Sequence, residues 1–350
     1  MSRLRKIRWD LIGISLPLFA WLASGVFPRL DSTLDPSSSV GEKSEGIVAV
    51  LAKDDWSEPI RPLVRPVGLD PAKVQLGRAL FNDPRLSRNE KIACSTCHQV
   101  ASGGDDGLPV AIGIEQAIGN LNSPTVLNCS LSVAQFWDGR VATLEEQMQE
   151  PIHNPFEMDA NWDMIVERLS RDRDFRTRFE EVYPQGVNEH ALCNAIATYE
   201  RALVTMDAPF DLYLLGEEHA ISESAKEGYL LFKRIGCIAC HQGRTVGGNL
   251  FQKFGVIGEG DTADRQQTIE DRGRFNVTNR PDDMCRFKVP TLRNIAQTAP
   301  YFHDGRSETL EDAIKVMAIH QLGATLSQSE VQKIEIFLQS LSGRLPEELK

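Results

Sequence analysis

Apolar residues return every three or four positions along much of this chain. Val331, Ile334, Leu338 and Leu341 fall on one face and predict a helix over residues 331–341. Residues 190–206, HALCNAIATYERALVTM, carry the same period and predict a second amphipathic helix, which closes the first half of the chain. No alternating apolar and polar run of any length occurs, so the pattern predicts an all-α fold. The N-terminus departs from it. Arg3, Arg5, Lys6 and Arg8 precede residues 11–27, LIGISLPLFAWLASGVF, which hold no charge. A basic stretch followed by an apolar core has the form of an export signal. The core is shorter than the roughly 20 residues of a spanning helix. Residues 1–30 therefore read as a cleaved signal peptide or as an uncleaved membrane anchor, and either places the remainder in the periplasm. Residues 31–58 read as a polar tether.

The hydrophobic pattern also repeats. Residues 124–148, PTVLNCSLSVAQFWDGRVATLEEQM, align without a gap to residues 290–314, PTLRNIAQTAPYFHDGRSETLEDAI, at a constant offset of 166. Upstream, LGRALFNDPRLSRNEKIACSTCH ends at His98 and EGYLLFKRIGCIACH ends at His241. Each contains Gly-x-x-Leu-Phe and then Cys-x-x-Cys-His. A fixed self-similarity of this kind marks a duplicated unit. With 350 residues, two domains are expected: 59–206 and 207–350. The second copy carries extra residues around 244–283, rich in Gly, Asp and Arg, which read as a surface loop.

The paired cysteine motifs carry the chemistry. In an exported protein Cys-x-x-Cys-His marks covalent haem attachment: two thiols add to the haem vinyl groups and the adjacent His ligates iron. The sets are Cys94, Cys97 and His98, and Cys237, Cys240 and His241. A zinc site would need a second ligand pair at the usual spacing, which is missing. A thioredoxin-like motif would need a βαβ context, also missing. Of the remaining cysteines, Cys129 and Cys193 lie in apolar, helix-like stretches and read as buried small residues, with Cys285 unassigned. An odd number leaves at least one thiol without a partner in the chain.

What fills the other side of each iron decides between electron transfer and chemistry. Met317 could be core packing or a thioether ligand of the second haem. The repeat offset places Pro151, which has no donor side chain, at the matching position of the first copy. Gln147, Glu150, His153 and Glu157 surround Pro151. They are either exposed loop residues or polar groups that handle the protons of a bound peroxide.

Bulk composition narrows the partners. A net charge of −11 argues against nucleic acid and is compatible with a basic protein partner.

Taken together, the two Cys-x-x-Cys-His motifs, NSPTVLN, QFWDGR, LEEQ, NPFEM, FKVPTLRN, TAPYFHDG and the trailing Met resemble the bacterial dihaem cytochrome c peroxidases over roughly residues 60–345. That family includes the dihaem enzymes that mature protein-derived tryptophan cofactors. The resemblance implies two duplicated cytochrome c-like domains, each with one covalent c-type haem. It implies that His98 is the proximal ligand of an N-terminal peroxidatic haem, with Gln147 and Glu157 as its distal pocket and Pro151 over the same face. It implies that His241 and Met317 ligate a C-terminal electron-transfer haem, and that Trp137 lies between the haems as a relay. One calcium is implied at Asn122, Thr298 and Pro300, the last two through backbone carbonyls. The expected reaction is reduction of hydrogen peroxide to water with electrons from a small c-type cytochrome or copper protein. The alternatives are a peroxide-driven oxidase acting on Trp or Tyr of a partner, and a non-enzymatic dihaem electron carrier. Many members form homodimers, but no segment here marks an interface. One position departs from the family pattern: many members place a distal His after Ile-Gly in the loop following the first haem motif, and here it is Ile114. Ile cannot ligate iron, so an open first haem is expected unless His153 closes it.

Overall fold

The computed structural model describes residues 57–257 and 268–350. The N-terminal apolar segment and almost all of the tether lie outside these residues. Among the described residues no helix is long and apolar enough to cross a membrane. The helices are α1 (Pro71–Phe81), α2 (Cys94–Cys97), α3 (Leu144–Gln147), α4 (Gln149–His153), α5 (Trp162–Arg171), α6 (Arg173–Val182), α7 (Glu189–Ala202), α8 (Pro209–Leu214), α9 (Glu223–Ile235), α10 (Phe275–Thr278), α11 (Leu310–Leu322) and α12 (Gln328–Gln339). One two-stranded antiparallel ribbon accompanies them, β1 (Phe251–Lys253) with β2 (Arg286–Lys288).

Two helix crossings organise the molecule, and both depend on the Gly of Gly-x-x-Leu-Phe. Asp70 caps α1 by accepting from the amides of Ala72 and Lys73, with Pro71 at the first helical position. The helix then meets α7 so closely that a Cβ on Gly77 would lie 2.0 Å from the Ala195 carbonyl oxygen. The second crossing repeats this between α9 and α12. A Cβ on Gly228 would lie 1.9 Å from the Lys333 carbonyl oxygen. Only glycine allows two backbones to approach this far.

Each crossing sits in its own hydrophobic core. The first includes Leu76, Leu80, Phe81, Ile165, Leu169, Phe179 and Tyr199. The second gathers Phe210, Tyr229, Phe232, Val331, Ile334 and Phe337. Phe210 packs edge-on against Tyr229 and Phe337 at ring separations of 4.7 and 5.0 Å, the favoured arrangement for aromatic pairs. The chain ends cross over. Ile60 is buried in the second core, while Leu345 and Leu349 are buried in the first.

The two 25-residue repeats share their backbone in detail. Asn128 and Asn294 hold φ of 62° and 59°, Phe136 and Phe302 hold 66° and 72°, and Gly139 and Gly305 hold 66° and 61°. The bridge Gln135–Val141 recurs as Tyr301–Ser307. Thr143 and Thr309 then cap α3 and α11 with their hydroxyls. The two asparagines meet at one hydroxyl: Thr205 Oγ1 accepts from Asn128 Nδ2 at 3.0 Å and donates to Asn294 Oδ1 at 2.9 Å.

Some sequence expectations shift. The helix expected at 190–206 ends at Ala202, because Leu203 leaves helical geometry and the Thr205 amide instead donates to Asn128 Oδ1 at 3.0 Å. Cys193 is buried within α7, but Cys129 lies in a 3-10 turn, Cys129–Leu131. The extra segment at 244–283 is not simply a surface loop. Its Thr245, Val246 and Asp271 are buried and it contributes β1 and α10. Asp271 is anchored by accepting from the Thr268 amide at 2.7 Å and from His303 Nε2 at 2.8 Å.

Candidate functional site

A cavity of about 350 Å³ is lined by residues of both repeats. Cys94, Cys97 and His98 line it from the first, and Cys237 and His241 from the second. The single turn of α2 lets the His98 amide donate to the Cys94 carbonyl at 3.0 Å, so the two thiols and the imidazole share one side of the turn. The His241 amide makes the same 3.0 Å bond to Cys237. Each ring is then fixed by its Nδ1, which donates to the Gly104 carbonyl in His98 and to the Val246 carbonyl in His241, both at 3.3 Å. That tautomer leaves Nε2 as the free lone pair, the form in which histidine ligates a metal. Burial pushes both imidazoles down in pKa, His241 to about 4, and so keeps them neutral. Burial likewise pushes the thiols of Cys94, Cys97 and Cys237 up to about 12. None of the seven cysteines is in a disulfide. Cys240 is not in the cavity wall, and its Sγ accepts from Gln252 Nε2 at 3.8 Å. Two thiol-bearing turns, each with an imidazole in the ligating tautomer beside an apolar cavity, fit a haem at each repeat.

The residues expected over the irons line the same cavity: Gln147, Pro151 and Glu157 from the first half, and Met317 of α11 from the second. Burial raises the pKa of Glu157 above its ordinary value; Asn154 Nδ2, donating to Oε1 at 2.7 Å, and the Arg140 charge oppose this, while Glu150 adds to it. Glu150 itself is exposed and faces Arg140 at 3.6 Å. His153 is also exposed, donates from Nδ1 to the Gln149 carbonyl at 2.6 Å and rests edge-on to Trp162; it does not line the cavity. Ile114 is 2% exposed, and its amide donates to the Glu157 carbonyl at 2.8 Å.

Comparison with known proteins agrees with this geometry. The family model for di-haem cytochrome c peroxidase matches residues 71–219. The cytochrome c peroxidase Ccp of Escherichia coli is 44% identical over 293 residues, which span 83% of this chain and 63% of that protein. The cytochrome c551 peroxidase of Nitrosomonas europaea is 42% identical over 83% of this chain and 86% of its own length. The chain belongs to the di-haem cytochrome c peroxidase family. A solved structure of a MauG-like protein associated with microbial copper homeostasis superposes with a TM-score of 0.72. It is 28% identical, and the match spans 85% of this chain and 97% of that one.

Within this family member, Trp137 lines the cavity and is held at both ends. Its Nε1 donates to the Asn122 carbonyl at 3.0 Å, and its own carbonyl accepts from the Lys288 amide at 2.8 Å. Its ring lies edge-on to His303, the residue at the same place in the other repeat, at 6.4 Å. Asn122, Thr298 and Pro300 line the cavity too. Asn122 commits its Nδ2 to the Leu108 carbonyl at 2.8 Å, which leaves its Oδ1 for a cation. Sequence reasoning missed three charged residues of the wall: Arg140, Glu200 and Lys288. Burial lowers the pKa of Lys288 to about 8, and its Nζ donates to the Ala134 carbonyl at 2.9 Å. Arg140 stacks over the Phe136 ring at 3.5 Å while pairing with Asp138. Glu200 carried a readable signal: it stands four residues after Ile196, on a helix face that is otherwise apolar.

Proposed function

We propose that the chain is a periplasmic dihaem peroxidase that reduces hydrogen peroxide to water with electrons from a small c-type cytochrome or copper protein. The observation that carries this reading is the common cavity, lined by both haem-attachment motifs and by Trp137, with a thioether (Met317) and a carboxylate–amide pair (Glu157, Gln147) in its wall. Cys94, Cys97 and His98 would hold one haem and Cys237, Cys240 and His241 the other, and these groups would supply the redox-active iron of the reaction. Met317 would offer its thioether to the haem of the second half, whereas Pro151, at the matching place of the first half, has no donor to offer. Glu157 takes the proton from the near oxygen of peroxide and delivers it to the leaving oxygen, and Gln147 orients the substrate by hydrogen bonding. Trp137, fixed between Asn122 and Lys288, helps electrons pass from the second half to the first. A calcium held by Asn122, Thr298 and Pro300 would brace the same wall from which Trp137 is hung. In this reading the two cores are two domains, 59–206 and 207–350.

The likeness to a MauG-like structure favours a second reading, a peroxide-driven long-range oxidase of Trp or Tyr on a partner protein. One measurement separates them. Holoprotein is mixed with peroxide and a reduced small c-type cytochrome, and oxidation of the cytochrome is followed. Two cytochromes oxidised per peroxide support the peroxidase. Peroxide consumption that leaves the cytochrome reduced overturns it.

A further inference from the structure

The two helix crossings give an internal register for comparing the halves of the molecule. Gly77 is pressed against the Ala195 carbonyl and the Cβ of Tyr199, and Gly228 against the Lys333 carbonyl and the Cβ of Phe337. Ala195 therefore corresponds to Lys333 and Tyr199 to Phe337. By the same register Ile196 corresponds to Ile334 and Glu200 to Leu338. All four of these last residues line the cavity. Three are aliphatic and the fourth is an acid.

Glu200 is 5% exposed, and its Oε2 has no hydrogen-bond partner. Burying a carboxyl group without a partner is costly. The fold does not require it, because Leu338 fills the equivalent place in the second half at 4% exposure. The charged and titratable groups around Glu200 are few. Arg201, its neighbour on α7, is turned to Glu145 of α3, with two bonds of 2.8 Å. Cys94 and Cys129 face it with thiols whose pKa its charge raises, and Tyr199 precedes it on the helix. Burial first, with Glu145 adding and Arg201 opposing, raises the Glu200 carboxyl to about 8. A carboxyl poised in this way exchanges its proton when a nearby charge changes.

We propose that Glu200 is the proton-exchanging group coupled to the oxidation state of the N-terminal haem, gaining a proton when that haem gains an electron and releasing it when the haem is oxidised. The inference rests on the haem reading above. The electron comes from the redox donor of that reaction and the proton from solvent, and the only bond made or broken is the carboxyl O–H. The direction follows from charge: a carboxylate beside Cys94 favours ferric over ferrous iron. The potential of that haem therefore falls as pH rises through the titration of Glu200. Leu338 gives the C-terminal haem no such group. Electrons arriving at the N-terminal haem would thus bring their charge-balancing protons with them.

The test is spectroelectrochemical titration of both haems in the holoprotein between about pH 6 and 9, a range centred near the raised acid. Wild type, Glu200→Leu and Glu200→Gln are compared. In wild type the N-terminal haem should fall toward about 59 mV per pH unit, one proton per electron, while the C-terminal haem stays flat. Both variants should lose that slope, and Leu restores the residue type of the other repeat. If Glu200→Leu fails to fold, Glu200→Gln decides. A flat wild-type profile, or a slope that survives in a variant, overturns the proposal. Haem content measured on the same samples separates the two readings: a chain without covalent haem sinks the functional reading itself.

Discussion

Asp211 Oδ1 and Arg293 Nη1 stand 2.7 Å apart, with side chains 5% and 0% exposed. They meet as an ion pair rather than as an aligned hydrogen bond, and the rest of each group is engaged. Arg293 donates from Nε to the Arg244 carbonyl and from Nη2 to the Arg61 carbonyl, both at 2.8 Å. Asp211 Oδ2 accepts from the Leu63 amide at 3.2 Å. The pair thereby ties the start of the described chain to the second core. Removing one member of a buried pair strands the other charge, at a cost of about 3–5 kcal/mol. Asp211→Ala should therefore lower the unfolding free energy of the holoprotein, measured by urea titration, by about 3–5 kcal/mol. A change of less than about 1 kcal/mol, the scale of an exposed pair, would contradict this account.

The C-terminal tail makes the reciprocal tie. Leu345 and Leu349 are buried in the first core, the Tyr199 hydroxyl donates to the Leu349 carbonyl at 2.7 Å, and Arg78 donates to the Lys350 carbonyl. Deleting residues 345–350 exposes the sites of two leucines, worth about 1.5–3 kcal/mol each. A loss of about 3–6 kcal/mol is expected on that basis, and the first core should melt before the second. A calorimetric trace identical to that of the full chain would show the tail to be dispensable.

How much of this was legible beforehand depended on where the determining forces act. The repeat and the long helices are local patterns, and they form where the periodicity places them, with ends that differ by up to a turn: 331–341 is Gln328–Gln339 and 190–206 is Glu189–Ala202, while the Gly-x-x-Leu-Phe glycines sit at the helix crossings, and Phe136 and Phe302 adopt the same left-handed backbone. Residues whose role comes from contacts distant in sequence were not legible. Glu200 shows in the sequence as an acid on an otherwise apolar helix face, but its place in the cavity wall near Cys94 comes only from packing between distant segments. Lys288 reads as a strand or loop lysine until its backbone meets Trp137. The segment 244–283 looked like loop because composition alone cannot show that Asp271 will accept from His303.

Ile114 leads to a kinetic prediction. The family resemblance would put an iron-binding His at this place, and an alkyl side chain has no lone pair to give. Its loop is tied back to the Glu157 segment: Arg88 pairs with Glu115 at 3.0 Å and with Asp159 at 2.6 Å, and the Ile114 amide bonds the Glu157 carbonyl. His153, the other ligand considered, is exposed and held by Gln149. Fully ferric holoprotein mixed rapidly with stoichiometric peroxide should lose its high-spin haem signal at once. A reaction that waits for prior reduction of the other haem would mean that some side chain closes the first site.

Glu157 combines position with a tunable proton affinity. Its carboxyl lies in the cavity wall, and burial raises its pKa above the ordinary 4.5, while Asn154 and Arg140 hold the rise in check. In the proposed role of base, Glu157 must be ionised before it can accept the first proton of peroxide. The rate should therefore climb with pH through the raised pKa, giving an acid limb above that of an ordinary glutamate. Glu157→Gln removes the proton acceptor but keeps the shape, so turnover should fall about 10²–10⁴-fold and the limb should vanish. Asn154→Ala removes the 2.7 Å bond to the ionised form, so the limb should move to higher pH while the plateau rate is largely kept. The pair of variants distinguishes the roles. A shift in the opposite direction for Asn154→Ala, or an unchanged limb in Glu157→Gln, would assign the titration to another group in the cavity.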